Sequence, residues 1–138
     1  NIDPKIEVLN QFTCYSHENI SLFQGDFFKL EDVNLPKFDW IYDRAAIIAM
    51  PASMQKNYVD KLCSFMGMHT RIFLLSLEFP QEELSGPPFS TTATQIESLF
   101  EGYACEKISE ESLSDKRFAQ RTFNVSSLTE TLYIIGRK

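Results

Sequence analysis

The chain has 138 residues, of which 43% are hydrophobic and 13% aromatic, and its net charge is −6. This length and apolar content predict one domain with a packed core, residues 1–138, and exclude a disordered tail. The negative charge gives no electrostatic footprint for nucleic acid or anionic lipid. Because no apolar run approaches the roughly 20 residues that cross a bilayer and no signal-peptide pattern opens the chain, we expect a cytoplasmic protein.

Cysteine and histidine positions do not suggest a metal site or a disulfide framework. Cys14, Cys63 and Cys105 lack the CxxC spacing of zinc sites and are odd in number, so we expect reduced thiols. His17 and His69 lie far apart, and neither is placed beside a paired carboxylate motif. We therefore predict no metal.

The first predicted elements are two short strands and a loop. FTCYS and ISLFQGDF flank the turn-forming run SHEN, which is typical of paired strands. GDFFKLEDVNLPKF then predicts a loop with one helical turn, closed by Pro36. FDWIYD, residues 38–43, is apolar at nearly every position, which predicts a strand buried on both faces of a parallel sheet.

The middle of the chain predicts a βαβ unit. After the apolar, helix-like run AAIIAM, PASMQKNYVDKLCSFMG predicts a helix of about four turns that begins near Pro51 and ends at Gly67. TRIFLLSLEF, residues 70–79, is a second continuous apolar strand. The strand, helix, strand order indicates a right-handed crossover.

The last elements are a helix and two strands. TTATQIESLFEG predicts a helix that Gly102 terminates. YACEKIS and ETLYIIGR predict strands that pair antiparallel across EESLSDKRFAQRTFNVSSL, which we interpret as a polar loop or frayed turn.

Three loops follow predicted strands and are expected at one sheet edge, where ligands bind in open α/β folds. In QGDFF, Gly25 permits close backbone approach and Asp26 offers hydrogen bonds to a flat heterocycle. In DRAA, Arg44 offers planar donors for a carboxylate or a ring. In SGPPFS, the prolines stiffen a wall that presents Phe89.

Each loop also has a purely structural interpretation. Asp26 is equally suited to cap the helical turn FFKL. Taken alone, Asp43 and Arg44 are more typical of a solvated surface pair, and GPPF of a rigid turn. No Ser-His-Asp order, phosphate-binding Gly loop or HExxH motif supports a hydrolase or phosphotransferase.

Taken together, the blocks GDFF, YDRAAIIAMPASMQKNYVDKL, FLLSLEF and GPPFS resemble, in order and approximate spacing, the thiopurine S-methyltransferase family, especially its bacterial branch. LYIIGRK resembles the closing strand of that family. The resemblance implies an α/β fold, the Rossmann-like sheet with flanking helices of class I methyltransferases. It also implies methyl transfer from S-adenosyl-L-methionine to sulfur, or in bacteria to selenium or tellurium, of a small molecule.

On the donor side, the resemblance implies that Gly25, Asp26 and the adjoining Phe27 contact the adenine of the cofactor. It implies that Arg44 reaches the active site, near both the methyl donor and the acceptor. A positive charge there would favour the thiolate form of the acceptor, so that no strong general base is required.

On the acceptor side, the resemblance implies that Pro87, Pro88 and Phe89 form the wall of the acceptor site. A second family arginine corresponds to Arg121 or to Arg117, since the stretch SDKRFAQRTFNVSS matches only with a shift. We predict Arg121 as the residue that binds the acceptor.

The chain departs from the family pattern at its start, because the first strand, the Gly-rich loop, the acidic ribose contact and the aromatic lid of the family all precede the region seen here. We therefore expect the C-terminal portion of a methyltransferase domain with an open sheet edge, completed by a missing N-terminal segment or by self-association. Two alternatives stay open: a non-catalytic methyltransferase-like interaction module, and a halide or thiol methyltransferase of the same superfamily.

Overall fold

The computed structural model describes residues 3–138, except for the side chain of Asp32. The chain divides into two compact units, residues 1–36 and residues 37–138. The strands are β1 (Lys5–Leu9), β2 (Phe12–His17), β3 (Ile20–Gln24), β4 (Phe38–Arg44), β5 (Met66–Glu78), β6 (Tyr103–Ser112), β7 (Arg117–Phe118), β8 (Arg121–Thr122) and β9 (Thr129–Arg137). The helices are α1 (Ala52–Ser64) and α2 (Ala93–Leu99), with 3₁₀ turns at Phe27–Asp32, Ile47–Ala49 and Gln81–Glu83.

The first unit contains an antiparallel sheet with the order β1, β2, β3. Phe12 and Cys14 of the central strand are buried on one face. The predicted strands on either side of SHEN are confirmed as β2 and β3. The sequence analysis does not predict β1, whose alternation of apolar Ile6 and Val8 with charged residues extends over only five positions.

The second unit is built on a mixed four-stranded sheet with the order β4, β5, β9, β6. β4 and β5 are parallel, and β9 runs antiparallel to both of its neighbours. The predicted βαβ unit is therefore confirmed as β4, α1 and β5, and the predicted antiparallel pairing of the last two long strands is confirmed as β6 with β9. This mixed α/β sheet with its flanking helices is consistent with a class I methyltransferase fold.

The two faces of this sheet are unequally covered. The alternate residues of β5 and β9 on one face are almost completely buried and form the core with residues of the two helices: Ile72, Leu74, Tyr133 and Ile135 from the strands, and Val59, Leu62 and Ile96 from α1 and α2. On the other face, Phe73 and Leu75 are only half-buried. The sheet thus has one face packed in the core and one face partly open.

β4 forms an edge of this sheet, and its aromatic side chains are exposed. Within the described residues β4 pairs with β5 alone, and Trp40 and Tyr42 are 59% and 67% exposed. The prediction that residues 38–43 are buried on both faces is wrong, because Trp40 and Tyr42 project from the partly open face of the sheet, where Trp40 contacts Phe73 with ring centres 5.3 Å apart.

Three further predictions differ from the structure in detail. The helix predicted to end at Gly67 ends at Ser64, and Gly67 already belongs to β5. The run AAIIAM forms only the short 3₁₀ turn Ile47–Ala49. The predicted loop before the last strand contains the hairpin of β7 and β8. No helix within residues 3–138 is long and apolar enough to span a membrane.

Candidate functional site

The segment from the last two residues of β4 to Met50, residues 43–50, is here called the Asp43 loop, and a buried carboxyl group fixes its shape. Asp43 is 1% exposed. Its Oδ1 accepts a hydrogen bond from the backbone N–H of Ile47 at 3.2 Å, and its Oδ2 accepts one from the hydroxyl of Tyr58 at 2.8 Å. The solvated surface pair considered for Asp43 and Arg44 is therefore wrong for Asp43.

Burial and hydrogen bonding have opposite effects on this carboxyl group. Burial raises the pKa of Asp43, while the hydrogen bonds from Tyr58 and from the loop amides lower it. Burial and the adjacent carboxyl group both raise the pKa of Tyr58. The Tyr58 hydroxyl thus keeps its proton and remains the donor to Asp43.

Arg44 links the Asp43 loop to the hairpin of β7 and β8. Its side chain is exposed to solvent, and its guanidinium carbon lies 5.0 Å from the centre of the Phe118 ring. This is a cation–π contact, which favours a planar guanidinium over the ring face. The contact brings a positive charge from the end of β4 to the border of a cavity that Phe118 lines.

This cavity, here called the Pro87–Pro88 cavity, has a volume of about 230 Å³. Its lining is mostly apolar and comes from the Asp43 loop, the proline loop and the hairpin region: Ala45, Ile48, Ala49, Pro87, Pro88, Phe118, Ala119, Arg121 and Phe123. The guanidinium carbon of Arg121 lies 5.4 Å from the centre of the Phe123 ring. Arg44 and Arg121 therefore each make a cation–π contact with a phenylalanine that lines this cavity.

The Asp43 loop and the proline loop are joined directly. The backbone N–H of Phe89 donates to the carbonyl of Ile48 at 2.6 Å, and both Pro87 and Pro88 line the cavity. The Phe89 ring instead packs against Gly86, where any side chain would overlap it, and it borders a separate groove. Phe89 is not among the residues that line the Pro87–Pro88 cavity.

Both candidate arginines lie in the hairpin of β7 and β8. Arg121 lines the cavity, whereas Arg117 is exposed on β7 and is not part of the lining. The sequence analysis misses Phe118 and Phe123, because Ala119 and Gln120 form the tight turn with φ of 48° and 65°. Such turns usually contain Gly or Asn, so the only sequence signal is the alternation in RFAQRTF.

The third predicted loop, QGDFF, belongs to the first unit, and local structure accounts for its contacts. A side chain at Gly25 would overlap the Phe12 ring. Asp26 caps the 3₁₀ turn, because its Oδ1 accepts a hydrogen bond from the backbone N–H of Phe28 at 3.0 Å. Phe27 packs edge-on against Phe28, with ring centres 5.8 Å apart. The cofactor roles of Gly25, Asp26 and Phe27 stay predictions.

Acidic, cysteine and histidine side chains do not gather at this site. In the part of the chain that the structure describes, no group of three or more such residues could hold a metal ion. The chemistry of the Pro87–Pro88 cavity is therefore that of an apolar wall with two guanidinium groups. Such a combination suits a small ligand with an aromatic body and an anionic atom.

Comparison with known proteins assigns residues 1–138 to the family that the sequence resembles. The family model described as thiopurine S-methyltransferase (TPMT) matches residues 1–138. The chain is 36% identical over 126 residues to a thiopurine S-methyltransferase of Vibrio campbellii, covering 90% of this chain and 56% of that protein. It is 35% identical over 128 residues to that of Vibrio vulnificus, covering 93% and 58%, and 36% identical over 148 residues to that of Shewanella piezotolerans, covering 100% and 64%.

These curated relatives are longer than the chain, which spans between 56% and 64% of their length. The match nevertheless extends over all three regions considered above, the QGDFF loop, the Asp43 loop and the proline loop. The chain belongs to the thiopurine S-methyltransferase family.

Proposed function

We propose that this chain takes part in methyl transfer from S-adenosyl-L-methionine to the sulfur of a small aromatic thiol, thiopurines among them, and that it supplies the acceptor side of the site. The observation that carries the proposal is the apolar Pro87–Pro88 cavity with Arg44 and Arg121 stacked on its phenylalanines. Family membership supports S-methyl transfer as the reaction class. Because the relatives are longer, the activity of the whole protein is part of the proposal.

The acceptor chemistry follows from the lining of the cavity. Its alanines and prolines suit the faces of a flat ring, and a volume of about 230 Å³ admits a single small ring system. Methyl transfer to a polarizable sulfur needs mainly correct positioning of the two reactants. The guanidinium of Arg44 would favour the ionised form of the acceptor thiol. Selenium and tellurium acceptors, which are polarizable and anionic when deprotonated, belong to the same proposal.

The donor side rests on the QGDFF loop. S-adenosyl-L-methionine, when bound, supplies the methyl group. Asp26 and Phe27 fit the adenine end, because the Asp26 side chain is exposed and the Phe27 ring is partly accessible; they would offer an acceptor for its amino group and a ring contact. Gly25 supports the loop by admitting the Phe12 ring.

Binding of thiophenol to the 138-residue chain tests the acceptor proposal. At slightly alkaline pH the thiol is an anion, whereas its methylated product thioanisole is neutral and has nearly the same shape. We expect thiophenolate to bind more tightly than thioanisole and to shift the NMR signals of Ala45 and Ala119. Equal binding of the two compounds, or shifts confined to residues outside the cavity, would contradict the proposal.

Substitution of the arginines sharpens this test. Arg44→Gln and Arg121→Gln should each weaken thiophenolate binding about tenfold, since a contact between charged groups is lost. Arg117→Gln, in the same hairpin but outside the lining, is the matched control and should leave binding unchanged. With S-adenosyl-L-methionine present, Arg44→Ala should reduce turnover more than stability. Unfolding at lower denaturant with unchanged activity per molecule would instead make Arg44 a structural residue.

The alternative of a non-catalytic interaction module is favoured by the exposed edge of the second unit. Trp40 and Tyr42 are exposed on the partly open face of the sheet. Within the described residues β4 pairs with β5 alone, and such an edge invites pairing with another chain. Gel filtration with light scattering would support self-association if the mass exceeded that of one chain. A monomer at all concentrations that showed no binding of S-adenosyl-L-methionine in isothermal titration would exclude both readings. Preference for iodide over thiophenolate would favour a halide methyltransferase.

The proposed surroundings follow from charge and composition. A net charge of −6 supports a protein that binds neither nucleic acid nor anionic membranes. We propose a cytoplasmic location, where a small-molecule thiol would be the partner. Retention on a heparin or DNA column at low salt would contradict the charge argument.

A further inference from the structure

Two polar side chains of α1 are buried and form hydrogen bonds with the loops of the Pro87–Pro88 cavity, although neither lines it. Gln55 and Tyr58 are each 5% exposed. They are three residues apart, so they lie on the same face of the helix. A buried polar side chain is expected to satisfy its hydrogen bonds, and both residues do so with the loops that form the cavity.

Tyr58 holds the beginning of the Asp43 loop. Its hydroxyl donates to Asp43 Oδ2 at 2.8 Å, and the other oxygen of that carboxyl group accepts from the backbone of Ile47 at 3.2 Å. Between them, Ala45 has a φ of 65°, a left-handed conformation that is unfavourable for alanine. The loop therefore depends on partners outside itself to hold this shape, and Tyr58 supplies one of them.

Gln55 holds the end of the same loop and ties it to the proline loop. Its Nε2 donates to the carbonyl of Met50 at 3.2 Å and to the Thr91 hydroxyl at 3.4 Å. Thr91 is fully buried and its own N–H donates to the carbonyl of Leu77 at 2.7 Å. The side chain of Gln55 thus joins the end of the Asp43 loop to the segment that follows the prolines.

The two walls of the cavity are consequently fixed from one helix. Tyr58 holds Asp43, the residue before Arg44, by a hydrogen bond. Gln55 holds Met50, the residue after Ala49, and Ala49 lines the cavity. The hydrogen bond from Phe89 to Ile48 at 2.6 Å joins the walls between these two points. A shift of either α1 side chain would move Arg44 relative to Phe118, 5.0 Å away, or move the alanine wall relative to the prolines.

We propose that Gln55 and Tyr58 are positioning residues for acceptor binding: a polar clamp on α1 that sets where Arg44 and the loop walls of the cavity stand. The ligand class in this inference rests on the proposed function, whereas the geometry of the clamp does not. Neither residue is among those that line the cavity, and their hydrogen bonds reach it through Asp43, Met50 and Thr91.

Conservative substitutions separate positioning from general stability. Tyr58→Phe removes only the hydroxyl, and Gln55→Leu removes both hydrogen bonds while nearly keeping the volume. Tyr133→Phe is the matched control, because Tyr133 is 3% exposed and its hydroxyl is hydrogen-bonded to Ser76 of β5 rather than to a residue of the Asp43 loop. All three variants lose a buried hydrogen bond and should unfold at somewhat lower urea concentration than the wild type.

Two measurements decide the inference. The first is the ¹H shift of the Arg44 guanidinium, which the Phe118 ring current displaces while the cation–π contact holds. The second is the affinity for thiophenolate. In Tyr58→Phe and Gln55→Leu the ¹H signal of the Arg44 guanidinium should move towards its position in the unfolded chain. The affinity for thiophenolate should fall about fivefold. In Tyr133→Phe both should match the wild type.

The possible failures are distinguishable. If the wild type does not bind thiophenolate, the proposed function fails, and the Arg44 shift alone still decides whether the clamp exists. If Tyr58→Phe and Gln55→Leu keep the wild-type Arg44 shift and lose only stability, as the control does, the clamp is overturned. Should one of the two variants not fold, the other tests the opposite end of the same loop.

Discussion

Two aspartates occupy similar places in the sequence and differ in what surrounds them. Asp26 lies two residues after β3, Asp43 is the last residue but one of β4, and a short 3₁₀ turn follows each of them. Asp26 is exposed and accepts a hydrogen bond from a residue only two positions away. Asp43 is buried and accepts one from Tyr58, fifteen positions away on α1.

The difference separates local from tertiary fixation of a loop. The loop at Asp26 is held by its own cap and by the Phe12 ring beside Gly25, so its geometry follows from adjacent residues. The loop at Asp43 is held by a helix, and it presents Arg44 to a ring of the hairpin. A buried polar group that orients a neighbouring charge indicates a functional site more strongly than an exposed helix cap does.

The largest expected effect is that of Asp43→Ala. It leaves the Tyr58 hydroxyl and the Ile47 N–H without their acceptor in a buried place, which should lower the free energy of unfolding by about 3 kcal/mol. Trp40, the single tryptophan of the chain, lies in the second unit, so its fluorescence during urea unfolding measures this loss. Asp43→Asn keeps one acceptor and should lose less; a loss below that of an exposed cap would contradict the burial argument.

Asp26→Ala should have a smaller effect, about 1 kcal/mol, which is typical of removing a helix cap. The loss should be local, since the partner amide is on Phe28. Hydrogen exchange of that amide should accelerate, while Asp26→Asn, which can still cap, should remain near the wild type. If Asp26→Ala equalled Asp43→Ala, the contrast between local and tertiary fixation would be wrong.

The same contrast explains what the sequence could predict. Local signals located the strands β2 to β5, both helices and the Asp26 cap, because each depends on residue types within one segment. The hydrogen bonds of Tyr58 and Gln55 are not predictable from the sequence, since a buried tyrosine follows the same helical periodicity as an apolar residue and a buried glutamine has no periodic signature. Their partners are fifteen and 36 residues away, beyond any pattern in one window.

The wall from the hairpin was missed for a different reason. Its turn contains Ala119 and Gln120 in conformations that sequence rules assign to Gly and Asn. Of the site residues that the family resemblance implies, Pro87, Pro88 and Arg121 line one cavity, and Arg44 contacts Phe118, which lines the same cavity. Their role in binding an acceptor stays a prediction.

The pH dependence of stability gives a further way to test the burial of Asp43. Burial raises the pKa of its carboxyl group above the ordinary value of 3.8, so the folded state holds this proton more tightly than the unfolded state does. The resulting stabilisation is full below 3.8 and is lost as the pH rises through the folded pKa. The free energy of unfolding of the wild type minus that of Asp43→Asn should therefore decrease as the pH rises from 3.8 through the folded pKa, and it should stay constant above that pKa. A relative stability that increased with pH would contradict burial as the dominant cause.

The smallest expected effect is next to Asp43 on the same strand. Tyr42 is 67% exposed on the open side of β4, so Tyr42→Thr should change the free energy of unfolding by no more than about 0.5 kcal/mol. Leu74→Ala is the matched control, because Leu74 lies on β5 opposite Asp43 of β4 and is fully buried. This variant should lose about 3 kcal/mol of the free energy of unfolding.

The Tyr42 result also bears on the interaction-module alternative, because it reports whether the edge of β4 is covered in solution. A small effect at every protein concentration means that Tyr42 faces water in the isolated chain. A loss of about 2 kcal/mol or more that grows with protein concentration would mean that a second copy buries the edge. Light scattering on the same samples separates this case from rearrangement within one chain, since only association raises the mass. The stability losses at Tyr42 and at Asp43 thus distinguish a side chain that contacts a second copy of the chain from one that holds the cavity loop in place.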